Sequence, residues 1–199
     1  MNRPGFLSLV LAASLFATPR GSAAGALVDV LKARQARIDT ILARYPADLP
    51  PEVKTDVGRA IADLIDFPEM GRAALGEEWG KHGEAERRDY VAAFEELVRA
   101  NILRRVDIYR TESIEYQDET IEGEKGSAKS VVKSRNATTE VVYALHTVAG
   151  KWRIADYSID GVSAVKNYRS QFAKLIEKRG FAGMVERLKK RREEIDAGK

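Results

Sequence analysis

Apolar residues fall first at helical spacing, then in alternation, then at helical spacing again. From Leu27 to Tyr45 the positions Leu27, Val30, Leu31, Ile38, Ile41, Leu42 and Tyr45 recur among Lys32, Arg34, Arg37 and Arg44, which predicts one amphipathic helix. Pro46, Pro50 and Pro51 interrupt it, and Val53, Val57, Ile61, Leu64 and Ile65 restart the pattern as a second helix ending near Asp66. Asp66-Phe67-Pro68-Glu69 then joins a capping residue, an early proline and an acid three positions on, the signature of a helix start. That short helix stops at Gly76, and Trp79 lies in the polar link that follows. Tyr90, Val91, Phe94, Leu97, Val98, Ile102 and Val106 mark a long helix from about Glu84 to Val106.

The period then changes to two. Ser113 to Gln117 alternates around Ile114 and Tyr116, and Ala128 to Arg135 is strand-like. Thr138 to Val148 sets Val141, Tyr143 and Leu145 on one side, and Lys151 to Ile159 sets Trp152 and Ile154 on one side. Gly123, Gly126 and Gly150 read as the intervening turns. After Gly161, the stretch from Ser163 to about Lys178 returns to helix through Val165, Tyr168, Phe172, Leu175 and Ile176. Gly180 separates it from a last helix on Phe181, Met184, Val185 and Leu188. The plan is α+β: N-terminal and C-terminal helices covering one face of a curved antiparallel four-stranded meander, in one domain.

The start of the chain has a different character. Arg3, the apolar run Phe6 to Ala17 and the small residues Ser22-Ala23-Ala24 form a secretory signal pattern over residues 1–24, with cleavage after 26 as the alternative, leaving a domain of 25–199. Twelve helical residues rise only about 18 Å, against a hydrocarbon core of about 30 Å, so the run does not read as a permanent anchor. Removing it removes two bases and no acid. The whole chain has 33 Lys+Arg and 30 Asp+Glu, so the mature part is close to neutral and no nucleic-acid partner is expected. The chain has 0 cysteines, which excludes disulfides, thiolate catalysis and an acylated-cysteine anchor.

Catalytic patterns are sparse. There are 2 histidines and hence no paired-histidine zinc helix, and neither a nucleophile elbow nor a complete phosphate loop occurs. His82 reads as a solvated loop residue, and His146, opposite Tyr143 and Leu145 on its strand, as an exposed sheet residue. Asp156 follows Trp152 and Ile154 at even spacing, which aims a carboxylate at the covered side of the sheet. Proton transfer and a hydrogen bond to a helix start or a basic side chain are both open to it, the second being favoured because no second acid, base or metal ligand converges. Lys189-Lys190-Arg191-Arg192 is flanked by Glu186, Glu193, Glu194 and Asp196 and reads as a solvated helix face. Asn136-Ala137-Thr138 matches a glycosylation acceptor, a pattern too short to carry weight. What stands out is apolar content: large residues on two strands beside Ala128, Ser130 and Val132 on the preceding one. That contrast leaves room for either a plain core or an apolar ligand.

The order of motifs adds a resemblance. Asp66-Phe67-Pro68-Glu69-Met70, Leu75-Gly76, Trp79, Arg87 to Leu97, Gly150 to Asp156 and Gly161 to Phe172 closely resemble the MlaC or toluene-tolerance family of periplasmic phospholipid-binding proteins, over about Leu27 to Lys190. Gly83-Glu84 and Asn101 depart from its usual residues. The resemblance implies a non-enzymatic periplasmic carrier, monomeric and without a cofactor. Its cargo would be a glycerophospholipid with its acyl chains in an apolar cavity between sheet and helices. It also implies partners: an outer-membrane lipoprotein and porin complex, and an inner-membrane ABC transporter with an MCE-domain protein. Face assignment makes Phe67, Phe94, Leu97, Val141, Tyr143, Leu145, Trp152, Ile154, Val162, Val165 and Tyr168 the candidate lipid-binding residues. Two alternatives remain: a small-substrate enzyme of the cone-shaped α+β class using Asp156, aided by Tyr143, and a ligand-free periplasmic adaptor.

Overall fold

The structure, a computed structural model, describes residues 26–45, 49–104, 113–134 and 137–198. The signal pattern, Asn136 and the end of the long helix at Val106 lie outside the described residues. Four helices precede the sheet or lead into it: α1 (Ala26–Leu42), α2 (Pro51–Ala62), α3 (Phe67–Leu75) and α4 (Glu84–Arg104), with a 3-10 turn at Gly76–Lys81. The strands are β1 (Ser113–Glu122), β2 (Lys125–Ser134), β3 (Ala137–Val148), β4 (Lys151–Ile159) and β5 (Val162–Ser163), followed by α5 (Ala164–Asp196). Asp66 caps α3 as its spacing predicts, its carboxylate accepting the Glu69 N–H at 3.0 Å.

The strands form one antiparallel sheet in the order β1-β2-β3-β4-β5. The expected four-stranded meander therefore gains a fifth strand, which pairs Val162 with Ile159 and Ser163 with Ser158. Two residues are too few to show alternation. Gly126 is a second correction: it lies inside β2 opposite Leu145, and the hairpin turns instead at Gly123, whose φ of +63° suits glycine. At Gly180, with φ +69°, the two expected C-terminal helices meet as a kink within one continuous α5.

Helices α3, α4 and α5 pack around an aromatic core. Phe94 meets Tyr168 edge-on at 5.2 Å between ring centres, and Tyr90 meets Phe172 edge-on at 5.9 Å. Phe67, Leu97 and Val165 belong to the same core. Tyr90 is wholly buried and its hydroxyl donates to the Gly71 carbonyl at 3.0 Å, which ties α4 to α3.

The helices join the sheet through the corner between α2 and α3. Ile154 N–H donates to the Leu64 carbonyl at 2.8 Å, and Asp66 N–H donates to the Ile154 carbonyl at 2.9 Å. Arg153 adds a guanidinium bond to the Asp63 carbonyl. Leu64 to Asp66 thus runs beside β4 as one rung of parallel strand, centred on the Ile65 and Ile154 pair.

Tyr90→Phe is expected to keep the fold and lower its stability by about 1 kcal/mol, because one buried hydrogen bond is lost without a cavity. A urea melt checks this; an unchanged midpoint would mean the Gly71 bond contributes nothing.

Candidate functional site

Strand register builds one apolar face. Across the sheet the rows are Tyr116, Ser130, Val141 and Ile159; then Glu119, Ala128, Tyr143 and Tyr157; then Ile121, Gly126, Leu145 and Ile154. The row-mates on β2 are the smallest side chains, so the middle of the sheet is a shallow floor between large residues. Trp152 continues the same face beyond Ile154. Ser130 on this floor is fully buried, although its side chain is polar.

Helix α1 lies along that floor. Leu27 is fully buried and Leu31 nearly so, packed with Val28 and Leu64 against Ala128, Leu145 and Ile154. A Cβ on Gly126 would sit 2.6 Å from Leu27 Cδ1, so glycine in β2 is what lets the helix approach. A bulge in β1 between Tyr116 and Glu119 turns the Glu119 carboxylate onto the same face, where it accepts the Val28 N–H at 2.8 Å. A carboxylate at a helix N-terminus satisfies an unpaired donor and complements the helix dipole. Tyr143 is pushed up by burial, with Ser130 opposing the shift, and Tyr116 is pushed up by burial and then by Tyr143 and Asp39. Both phenols therefore stay neutral.

The expected residues divide between two places. Tyr143, Leu145, Trp152 and Ile154 line the α1 side of the sheet. Val141 is half-buried at its open end, beside Ile159 and Val162, which are 43% and 64% exposed. Phe67, Phe94, Leu97, Val165 and Tyr168 lie in the aromatic core of the helices, with Ile65 and Tyr157 touching both groups. Pairing Leu27 and Leu31 with the sheet was beyond periodicity, as was Glu119. The small residues at Gly126, Ala128 and Ser130 were the available signal.

The polar candidates resolve differently from expectation. The register shifts opposite Ala144 and Leu145, so Ala155 is an extra residue and Tyr157, not Asp156, takes the covered face. Asp156 accepts from Tyr157 N–H at 2.8 Å, Val165 N–H at 3.0 Å and Ser163 Oγ at 2.6 Å. Ser163 Oγ in turn accepts Lys166 N–H, so the carboxylate fastens the start of α5 and the favoured helix-start reading stands. His82 is not solvated: it stacks on Phe181 with ring centres 3.6 Å apart. His146 is not an exposed residue either, for its Nε2 lies 2.8 Å from Asp66 Oδ2 at the α3 cap. In the Lys189 to Arg192 run, Lys189 pairs with Asp89 and Glu186, Arg191 with Glu194, and Arg192 with Asp196.

Two open clefts flank the junction. One of about 340 Å³ lies over Ile65, Phe67, Glu95, Arg99, Val148 and Arg153, with Arg99 stacked 4.8 Å above the Phe67 ring. The other, about 300 Å³, lies between α1 and Leu64 and is lined by Val30, Ala33, Arg34, Arg37 and Leu64. Among the described residues no cluster of acids and histidines could hold a metal, and no helix is long and apolar enough to cross a membrane.

Comparison with known proteins gives a family match and matches to solved structures. The sequence model of the family described as MlaC protein matches residues 29–190. A phospholipid-binding protein from Ralstonia solanacearum, solved in complex with a phospholipid, superposes with a TM-score of 0.70 at 18% identity, covering 85% of this chain and 96% of that one. At that identity the likeness shows a shared fold. No curated protein matches the sequence.

Asp156→Ala is expected to lower stability by about 2 kcal/mol, since it removes three acceptor contacts at a helix start. Equilibrium urea unfolding measures this; a stable Asp156→Ala protein would argue that the carboxylate is held there for another purpose.

Proposed function

Because the chain belongs to the MlaC family, we propose that it is a periplasmic phospholipid carrier, exported by a cleaved signal peptide, that holds acyl chains against the apolar face of its sheet. The observation carrying this reading is the floor of Gly126, Ala128 and Ser130 between Tyr143, Leu145, Ile154, Ile121 and Tyr116. A straight apolar body fits along such a floor, as the first turns of α1 do. Phospholipid binding by the Ralstonia protein of the same fold supports the cargo.

The physics of the task fits an inert site. Each buried CH₂ contributes about 0.8 kcal/mol, so releasing two chains of about 15 methylenes into water costs on the order of 24 kcal/mol. A carrier must enclose that surface and leave the ester intact. Asp156, which an enzyme reading would use, has its oxygens committed to the α5 start. On loading, the Leu27, Val28 and Leu31 side chains give way to acyl chain, which exchanges one apolar surface for another. The cycle then runs between an outer-membrane lipoprotein and porin complex and an inner-membrane ABC transporter with its MCE-domain ring, with a monomer as the shuttle.

Protein purified without detergent and extracted with organic solvent should yield stoichiometric phospholipid by mass spectrometry; repeated extracts without it would count against the carrier and for the ligand-free adaptor. Val141→Asp should reduce lipid retention severalfold, because an unpaired carboxylate would enter the apolar face. Ala144→Asp, exposed on the other face of the same strand, should leave retention unchanged. Equal retention in both folded variants would move the site elsewhere.

A further inference from the structure

The cleft between α1 and Leu64 combines an apolar floor with unbalanced positive charge. Val30 and Leu64 pack with Leu27, Leu31, Leu145 and Ile154, so the floor is continuous with the apolar face beneath α1. Arg34 and Arg37, one turn apart on α1, form the polar part of the lining, and among the described residues no acid lines the cleft. The neighbouring carboxylate is Asp63, whose Oδ2 is 3.9 Å from Arg34, beyond hydrogen-bond reach. Arg153 approaches the same corner and bonds the Asp63 carbonyl. Burial pulls Arg34 below its ordinary value; Asp63 opposes this, while the charges of Arg37 and Arg153 add to it. Of the charged groups acting on Arg34, two are guanidinium groups, Arg37 and Arg153, and one is a carboxylate, Asp63.

This differs from the basic run near the C-terminus, where Lys189, Arg191 and Arg192 each have an acidic partner. An ordinary solvated helix face looks like that run. Planar guanidinium groups one helical turn apart, beside apolar surface, suit an oxyanion that carries an apolar tail.

We propose that this cleft binds the phosphate of a phospholipid headgroup through Arg34 and Arg37, while the acyl chains pass Val30 and Leu64 to the face beneath α1. The proposal rests on the carrier reading and adds to it the place where the polar end is held. The headgroup remains at the surface because the cleft is open, so the site recognises the phosphate common to many phospholipids and leaves the rest of the headgroup in water.

The test uses fluorescent phosphatidylcholine and fluorescent diacylglycerol with the same chains, each at trace level in the same phosphatidylcholine vesicles. Uptake is measured for the unaltered protein, R34Q/R37Q and R34K/R37K. Losing two charge-assisted contacts should weaken phosphatidylcholine uptake about tenfold in R34Q/R37Q. Diacylglycerol uptake should not fall, and R34K/R37K should recover part of the loss. Circular dichroism establishes folding, and R37Q alone, altered at an exposed position, should show a smaller loss of the same selectivity. A phosphorus NMR titration with inorganic phosphate separates the two sources of the anion. A lipid site predicts weak phosphate binding that R34Q/R37Q abolishes. Tight phosphate binding by a protein that takes up no phospholipid would overturn the lipid assignment and the carrier reading together. Normal uptake by the unaltered protein that is unchanged in R34Q/R37Q, or an equal fall for both lipids, would overturn the headgroup site and leave the carrier reading standing.

Discussion

The attachment of the α2–α3 corner to β4 is the constraint on which the other features depend. Its backbone bonds between Ile154 and both Leu64 and Asp66 lock the sheet to the helical core at one point along β4. Because Ile154 faces the floor beneath α1, this junction also sets the height of Leu64 above that floor. The second attachment, Asp156 to Ser163 and Val165, lies only a few residues along the same strand. Both of these anchors are on one strand near one edge, His146 of β3 adds a side-chain contact to Asp66, and the rest of the sheet is held mainly by its own ladders and by α1.

That asymmetry explains why α1 carries so much of the site. Among the described residues it meets the sheet through apolar contacts and a charge-assisted hydrogen bond from Val28 to Glu119. Apolar contact is non-directional, so a helix held this way can slide or lift without breaking a backbone ladder. Had the same face been covered by a further strand, every displacement would have left several amide groups unpaired. Glu119 supplies the directional element, and it does so at the first turn of the helix, where donors lack internal partners.

Much of the architecture was legible because periodicity survives wherever one face is buried. The capping pattern at Asp66, the helix through Tyr90 to Leu97 and the shared face of Val141, Tyr143 and Leu145 all follow from local spacing. The strand-face assignments that differ from expectation have one physical origin. A bulge adds a residue to a strand without changing its composition, so alternation counted past it assigns the wrong face. The bulge in β4 turned Asp156 away and brought Tyr157 in; the bulge in β1 brought Glu119 in. The two histidines differ from expectation for another reason. His82 and His146 owe their burial to Phe181 and Asp66, partners far off in sequence that no local pattern announces.

The division of the candidate residues also follows from packing. Phe67, Phe94, Leu97, Val165 and Tyr168 satisfy one another within the helices, and their edge-on rings leave little freedom for a guest. The sheet face differs in kind, since β2 contributes Gly126, Ala128 and Ser130, which cannot fill the space above them. Something else must lie there, and α1 does so with two leucines and a valine. This last layer of the core rests on side-chain contacts with the sheet rather than on a backbone ladder. On the carrier reading we propose, that arrangement keeps the apolar face dry when empty and lets it open for loading, because replacing leucine side chains by acyl chain leaves the area removed from water nearly constant.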